Sequence, residues 1–180
     1  MDVTEAPIIQ SLLHRFHDHV LESHTYRGDQ TVIVKPEAII PVLTFLKDDP
    51  SLDFTFLMDL TVVDYLTYPE PRAARYEVVY HLYSLRFGHR VRIKIPVKPG
   101  DTVPTASSLW ESANWAEREA WEFFGIVFEG HPNLKRLLTH KDFHGFPLRK
   151  DFPLKRRQPL EETDTLVDEM DERLRFKGLK

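Results

Sequence analysis

The chain has 180 residues, of which 42% are hydrophobic and 29% are charged, and its formal net charge at pH 7 is −4. This length suits a single domain with its own core, and the negative charge argues against nucleic-acid binding. The chain contains no cysteine, which excludes disulfides, zinc ribbons and iron–sulfur clusters held by thiolates. No apolar stretch approaches the roughly 20 residues of a membrane span, and the acidic first residues are unlike a signal peptide. We therefore expect the chain to be made and kept in the cytoplasm and to reach a membrane only through partners.

Two helices and a short strand are predicted in the first part of the chain. Apolar residues at helical spacing predict an amphipathic helix over residues 5–24. A turn at residues 26–29 leads to a strand over residues 31–34, and Pro36 opens a second helix that ends at Leu46. A group of histidines lies in or just after the first helix. We interpret them as surface residues rather than a zinc site, because acidic or thiolate co-ligands are not evident. They are His14, His17, His19 and His24.

The middle of the chain is predicted to form an antiparallel sheet. Residues 52–64 predict a long strand, and residues 75–85 and 90–97 predict a hairpin with half-buried strands. The large side chains expected on one face of the long strand are Phe54, Phe56 and Met58. A short helix over residues 105–112 follows. The predicted fold class is α+β: a single two-layer domain with a mixed, largely antiparallel sheet flanked by helices, plus an extended C-terminal arm.

The densest motif is a helix, crowded with charged and aromatic residues, that ends before Gly125. Asn114 is predicted to cap its N-terminus, with Glu117 reaching back in a capping box. Gly125 can adopt the left-handed conformation that ends a helix, and Ile126 can fold back as a hydrophobic clasp. One face of this helix collects Trp115, Arg118, Glu119 and Glu122.

This charged face has several interpretations. A solvated surface is the usual one for such a helix. Trp115 among the charges indicates an interface instead, because Trp and Arg are typical of interface anchors. Arg118 and Glu122 are spaced to pair along the helix surface. Glu119 and Glu122 could be half of a metal–carboxylate site, but the Glu-x-x-His pattern that accompanies such sites is missing.

The order of residues from 114 to 138 resembles the signature of a known family. The matching residues are Glu117-Arg118-Glu119, Glu122-Phe123-Phe124-Gly125-Ile126, Gly130-His131-Pro132, Leu134, Arg136 and Leu137-Leu138. A second block at residues 147–154 and weaker echoes at residues 58–65 and 76–85 accompany them. The pattern is similar to the 30 kDa subunit of respiratory complex I, known in bacteria as the C subunit of the proton-translocating NADH:quinone oxidoreductase. A long ordered string with a second block downstream is a stronger signal than a lone short motif.

The resemblance implies a cofactor-free core subunit of the peripheral arm. Such a subunit packs on the 49 kDa-type (D) subunit near the quinone site and on other peripheral-arm subunits. Electron transfer from NADH to quinone and proton translocation then belong to the assembly, whose partner subunits hold FMN, iron–sulfur clusters, NADH and quinone. The chain is expected to carry no catalytic, cofactor-binding or metal residue, and to lie peripherally on the cytoplasmic side of the inner membrane. The residues expected to bind partners are Trp115, Glu117, Arg118, Glu119, Glu122, His131, Arg136, Arg149, Lys150, Asp151 and Phe152.

The chain changes character after the signature. We expect residues 1–138 to form the globular domain and residues 139–180 to form an extended partner-binding arm. Residues 140–158 are rich in Pro, Gly and basic residues, yet they carry scattered apolar residues that need cover. We favour an arm that orders on a partner over one that folds back on its own sheet. Its end is expected to form one or two helical turns or a solvated tail.

Several alternatives remain open. An energy-converting hydrogenase-type complex would differ only in the partner of this chain. A free-standing enzyme is disfavoured because no nucleophile–base pair or Gly-rich phosphate loop can be assembled. An RNA-binding α+β module is disfavoured by the negative charge and by the missing aromatic strand motif. His131 is interpreted as a turn residue that bonds local backbone, with a charge-tunable contact near the quinone site as the alternative.

Overall fold

The computed structural model describes residues 7–155, residue 158 and residues 161–178, except for the side chains of residues 161–166. Its helices are α1 (Pro7–Phe16), α2 (Ile39–Asp48), α3 (Glu111–Phe124) and α4 (Glu161–Phe176). Its strands are β1 (Val20–Tyr26), β2 (Asp29–Val34), β3 (Phe56–Asp64), β4 (Tyr76–Tyr83), β5 (Arg90–Val97), β6 (Thr102–Pro104) and β7 (Val127–Glu129). Short 3-10 turns, His17–His19 and Pro36–Ala38, precede β1 and α2.

The main sheet has five strands in the order β1-β2-β5-β4-β3. Its pairs are antiparallel except β2–β5, which is parallel. The short strands β6 and β7 pair in parallel in a separate ribbon. The predicted α+β class, with a mixed and largely antiparallel sheet flanked by helices, is therefore confirmed.

One hydrophobic core joins the sheet to three of the helices. Its helical members include Leu12 of α1, Leu43 of α2 and Ala120 of α3. From the sheet, the register sets Val78 beside Ile95, and both are buried in the same cluster. This burial supplies most of the driving force for folding, and it fixes α3 against the sheet.

The predicted first helix is wrong in its second half. Helix α1 ends at Phe16, and Val20–Tyr26 forms a strand that pairs with β2. The hairpin closes through Arg27 and Gly28, whose φ angles of 53° and 88° are both positive. Positive φ at both central residues is typical of the two-residue turns that match the twist of paired strands. For residues 20–26, pairing with β2 therefore outweighs the helical spacing of the apolar residues.

The predicted face of β3 is also wrong. Phe54 is fully buried, but Phe56 and Met58 are 46% and 50% exposed. The strand begins only at Phe56, because Asp53 has a φ of 51° that extended backbone cannot hold. A bulge between Leu57 and Asp59 then reverses the alternation.

The predicted helix over residues 105–112 reduces to a single turn before α3. Trp110 then adopts an extended conformation, with φ −135° and ψ 125°, and separates that turn from α3. Its indole Nε1 donates a 3.1 Å hydrogen bond to the carbonyl of Thr55.

Helix α4 spans 16 residues, more than the one or two turns predicted for the chain end. Within the described residues, no helix combines the length and the apolarity that crossing a membrane demands.

Candidate functional site

The candidate site is built on α3, which begins four residues earlier than predicted. Trp110, not Asn114, occupies the N-cap position, and no side chain caps the helix there. The predicted capping box is therefore wrong. The predicted helix end is confirmed, because Gly125 adopts a φ of 76° and donates its N–H to Trp121. Ile126 is buried immediately after it.

Glu117 lies under α3 instead of capping it. Its carboxylate accepts hydrogen bonds from the Ala106 N–H at 2.6 Å and from the Thr105 hydroxyl at 2.5 Å. Burial raises the pKa of Glu117 above its usual value, although both hydrogen bonds oppose that shift. The residue therefore ties the loop that precedes α3 to the buried side of the helix.

His131 connects the Gly-His-Pro turn to the same region. Its Nδ1 accepts the N–H of Asn133 at 3.0 Å, so its Nε2 carries the proton and donates to the Asn114 carbonyl at 3.0 Å. The Nε2 atom lies 4.0 Å from the Glu117 carboxylate, and both side chains are almost fully buried. These contacts agree with the interpretation of His131 as a turn residue that bonds to the backbone.

Glu122 holds the chain that follows the turn. Its carboxylate accepts the N–H of Leu137 at 2.5 Å and of Leu138 at 3.1 Å, and it also accepts the N–H and hydroxyl of Thr139. Burial would raise the pKa of Glu122, but the hydrogen bonds from Thr139, Leu137 and Leu138 outweigh burial and lower it. A run of backbone N–H groups around a carboxylate is an anion nest, here occupied by a side chain of the same protein.

Arg118 binds the same segment from its other side. Its Nε donates to the Lys135 carbonyl at 2.8 Å and its Nη2 to the Arg136 carbonyl at 3.1 Å. Its guanidinium carbon Cζ also lies 5.2 Å from the centre of the Trp115 ring. Among the described ion pairs, none joins Arg118 to Glu122, so the predicted pairing is wrong. Both side chains are used to bind residues 135–139.

Arg136 continues this network towards the C-terminal residues. Its Nη1 donates to the Thr139 hydroxyl at 2.9 Å and its Nη2 to the Phe143 carbonyl at 2.8 Å. Its guanidinium lies 5.8 Å from the Trp121 ring centre. Phe152, further along, has its ring 5.9 Å from that of Phe143.

Residues 146–151 wrap around the end of α3. Leu148 donates its N–H to the Phe123 carbonyl at 3.2 Å, and Arg149 Nε donates to the Phe124 carbonyl at 2.6 Å. The Arg149 guanidinium stacks 4.1 Å above the Phe146 ring. These bonds satisfy helix-end carbonyls that would otherwise lack partners.

The buried carboxylate of Asp64 also holds residues 146–151 on the domain. Asp64 at the end of β3 binds Arg75 Nη2 at 2.9 Å and the Lys150 N–H at 2.9 Å. Arg75 in turn binds Asp151 at 2.7 Å. Residues 146–151 therefore fold back on the domain, which was the less favoured alternative. The division of the chain at residue 138 remains a prediction.

The comparisons with known proteins identify the family. A family model described as the respiratory-chain NADH dehydrogenase 30 Kd subunit matches residues 32–158. The chain belongs to this family. The resemblance predicted from the α3 signature and from residues 147–154 is confirmed.

Individual relatives of this 30 Kd subunit family member agree. The C subunit of the NADH-quinone oxidoreductase of Dinoroseobacter shibae is 47% identical over 136 residues, which are 76% of this chain and 61% of the relative. The corresponding C subunit of Roseiflexus sp. (strain RS-1) is 44% identical over 155 residues, which are 86% of this chain and 87% of the relative. A solved trypsin-resistant fragment (1–134) of Nqo5 has a TM-score of 0.62 and 36% identity, and the match covers 71% of this chain and 99% of the fragment.

In this 30 Kd subunit family member, the network divides the residues predicted to bind partners into two groups. Several of them are turned inwards or bonded within the chain: Glu117, Arg118, Glu122, His131, Arg136, Arg149, Asp151 and Phe152. The exposed group is Trp115, Glu119 and Lys150. Trp115 is 64% exposed and Leu138, which sequence reasoning missed, is 69% exposed. The sequence did offer a signal for Leu138, because it is the last residue of the family signature and follows Leu137, whose N–H binds Glu122.

Asp64 and Arg75 were also missed. Asp64 ends β3 and Arg75 immediately precedes β4, and the pairing of these two strands brings them together. Among the described residues, no group of three or more His, Asp or Glu side chains is placed to hold a metal ion.

Proposed function

We propose that this chain is a cofactor-free core subunit of a proton-translocating NADH:quinone oxidoreductase. The observation that carries the proposal is the family match over residues 32–158, which contains both the α3 signature and the C-terminal block. The chain supports electron transfer from NADH to quinone by holding its neighbours in place. FMN, iron–sulfur clusters, NADH and quinone are bound by the partner subunits. Within that assembly, this chain lies peripherally on the cytoplasmic side of the inner membrane.

The proposed docking surface is the solvent side of α3 together with Leu138. The polar signature residues Arg118 and Glu122 are bonded to residues 135–139, so they shape this surface rather than contact the partner. Trp115 and Leu138 remain exposed beside them, and Trp is among the residue types that carry most of the binding energy of protein interfaces. Glu119 provides a charge at the rim. The proposed occupant is the 49 kDa-type (D) subunit near the quinone site.

The arrangement supports docking for an energetic reason. Arg118 lies over the Trp115 ring, and its two bonds to main-chain carbonyls hold it there. Trp115 is thus held in place before binding, which lowers the conformational entropy that association costs. The buried carboxylates Glu117 and Glu122 are already satisfied within the chain, so docking does not require their desolvation.

The proposal is tested by isolating the complex from native membranes through a tag on this chain. We expect the D-type and other peripheral-arm subunits to co-purify in equal amounts, with NADH:quinone reductase activity. Trp115→Ala should lower the yield of the complex at least about fivefold, as loss of an interface anchor worth about 1 kcal/mol or more. The matched control is Tyr26→Ala, since Tyr26 is 63% exposed at the end of β1. Recovery of the chain alone, or with hydrogenase-type subunits, would contradict the proposal.

A further inference from the structure

A second docking surface lies where the β3–β4 loop meets the C-terminal residues. We propose that Leu66 and Tyr68 of the loop and Leu148 and Leu154 of the C-terminal segment form one surface, organised by Asp64. The proposed occupant is a protein partner with an apolar patch and an acidic rim. This inference rests on the proposed function, because it assumes that the chain works inside an assembly.

Asp64 brings the two segments together. Its Oδ1 accepts the Leu66 N–H at 3.0 Å, and its Oδ2 accepts the Lys150 N–H at 2.9 Å. Its side chain is fully buried. Leu66 and Lys150 are therefore fixed on opposite oxygens of one carboxylate, although they are far apart in the sequence.

Arg75 stabilises this arrangement by binding both Asp64 and Asp151. It binds Asp64 through Nε at 3.1 Å and Nη2 at 2.9 Å. It also binds both oxygens of Asp151, at 3.1 Å and 2.7 Å. Two-pronged pairing of a guanidinium with a carboxylate fixes geometry as well as adding energy. The C-terminal segment is thus held at Lys150 and Asp151, between the exposed Leu148 and Leu154.

The loop side of the surface is also held. The Arg72 guanidinium lies 5.0 Å from the Tyr65 ring centre and 4.9 Å from that of Tyr68. The two rings meet edge to face at 5.3 Å, and the Tyr65 hydroxyl donates to Glu77 at 2.9 Å. Tyr68 is nevertheless 45% exposed. An exposed aromatic held in this way is ready to bind without further ordering.

The charges around the surface define its partner. Arg72, Lys150 and Lys155 are exposed, and none of them forms an ion pair within the described part of the chain. The carboxylates of Asp64 and Asp151 are occupied by Arg75, which leaves Glu70 as the exposed acid of the loop. The surface is locally basic on a chain whose net charge is −4. Acidic side chains around an apolar centre complement it.

A protein fits these features better than a membrane surface. Binding to anionic lipid needs only clustered cations near exposed apolar side chains, with no fixed register between segments. Here a buried ion pair sets the spacing of the apolar side chains, as shape-complementary recognition requires. Tyr and Arg are also the residue types enriched at protein interfaces.

Photo-crosslinking in the intact complex tests the inference. A photoreactive phenylalanine analogue replaces Leu154 or Tyr68 in the full chain, and adducts are identified by mass spectrometry of the complex from native membranes. We expect adducts from both positions on one partner protein, in peptides that carry Asp or Glu. The control position is Phe87, which is 45% exposed on the β4–β5 turn. Phospholipid adducts, peptides dominated by basic residues, or yields no higher than at Phe87 would overturn the inference.

Two variants test the role of Asp64 as organiser. Asp64→Asn and Asp151→Asn should each lower the adduct yield at position 154 about tenfold, a change of about 1.4 kcal/mol in docking. The yield from the analogue at position 115 should not change. Asp48→Asn, at an exposed acid on α2, is the control. Asp151 is 51% exposed, so its variant should fold even if Asp64→Asn does not. Unchanged yields in Asp151→Asn would refute the organising role.

The outcomes separate this inference from the proposed function. Adducts at position 115 without adducts at positions 68 and 154 would leave the proposed function standing and remove the second surface. Absence of the chain from any quinone oxidoreductase would remove both.

Discussion

Thr139 donates both its backbone N–H and its hydroxyl to one oxygen of Glu122, 17 residues earlier in the chain. The other oxygen receives the N–H groups of Leu137 and Leu138. The signature glutamate and the Leu137-Leu138 pair of the same motif are therefore parts of one structural unit. Within the described residues, the contacts of Glu122 account for its place in the motif without a direct contact to a partner.

Replacing Glu122 by Gln should destabilise the full chain by about 2–4 kcal/mol, because an amide cannot accept all of these hydrogen bonds and leaves buried donors unpaired. Urea unfolding followed by circular dichroism measures the effect. Glu119→Gln is the matched control, since Glu119 is exposed on the same helix. Its change should stay within about 0.5 kcal/mol. Equal stability of the two variants would show that the Glu122 bonds contribute nothing.

The stabilisation by Glu122 should depend on pH in a defined direction. Its pKa is lowered in the folded chain, so the folded state binds the proton more weakly than the unfolded state. The stabilisation is complete above the unfolded value of about 4.3 and is lost as pH falls through the folded pKa. The stability difference between wild type and Glu122→Gln should therefore shrink between pH 7 and pH ~3. A difference that stays constant over this range contradicts the assignment.

Glu117 should show the opposite dependence. Burial raises its pKa, so its contribution is complete below the unfolded pKa and is lost as pH rises through the folded value. Wild type should lose stability relative to Glu117→Gln as pH rises above the unfolded value of about 4.3. The Gln side chain can still accept from Ala106 and pair with Thr105. We therefore expect Glu117→Gln to cost less at pH 7 than Glu122→Gln.

Gly125 should tolerate no side chain. A Cβ there would clash with Arg149 Nη2 and would lie 2.6 Å from Phe146 Cζ. Gly125→Ala should cost about 1–3 kcal/mol more than Gly100→Ala, which has a similar positive φ but nothing within 4 Å of the added carbon. Hydrogen exchange at the Leu148 amide should also become faster in Gly125→Ala alone. Similar unfolding midpoints for both variants would contradict the close packing.

Arg118 should act within the chain before any partner binds. Arg118→Ala leaves the carbonyls of Lys135 and Arg136 without their donor, and we expect a loss of about 1–2 kcal/mol in the free chain. Arg118→Lys should restore only part of it, because one ammonium does not reproduce the fork that spans two carbonyls. Lys135→Ala, at an exposed neighbour, is the control. Thermal unfolding of the three variants provides the measurement.

The sequence was informative where local rules decide the structure. Alternating apolar residues predicted the β4–β5 hairpin, and Gly125 predicted the end of α3, because both depend on neighbours within a few residues. Asp64 could not be assigned in this way. The role of Asp64 depends on its bonds to Arg75 and Lys150. These residues come close to Asp64 only when β3 pairs with β4 and residues 146–151 fold back on the domain.

The charged face of α3 shows the same limit. Trp115, Arg118 and Glu122 share one face by helical spacing, and that spacing is identical whether water, a partner or the chain itself covers the face. The structure covers Arg118 and Glu122 with residues 135–139 and leaves Trp115 exposed. The helical spacing of residues 20–24 was misleading for a related reason, since β2 offers a strand partner that the helix prediction did not consider.

The parallel pairing of β2 with β5 has a consequence for biosynthesis. The β1–β2 hairpin is finished at Val34, but its inner edge pairs with residues 91–94, which emerge from the ribosome about 60 residues later. At ordinary translation rates this interval lasts roughly 3–12 s. During that time the nascent hairpin presents an open strand edge beside Val32 and Val34, both of which are fully buried in the finished protein. An unpaired strand edge is a template for pairing with other chains, and the synthesis of β5 closes it.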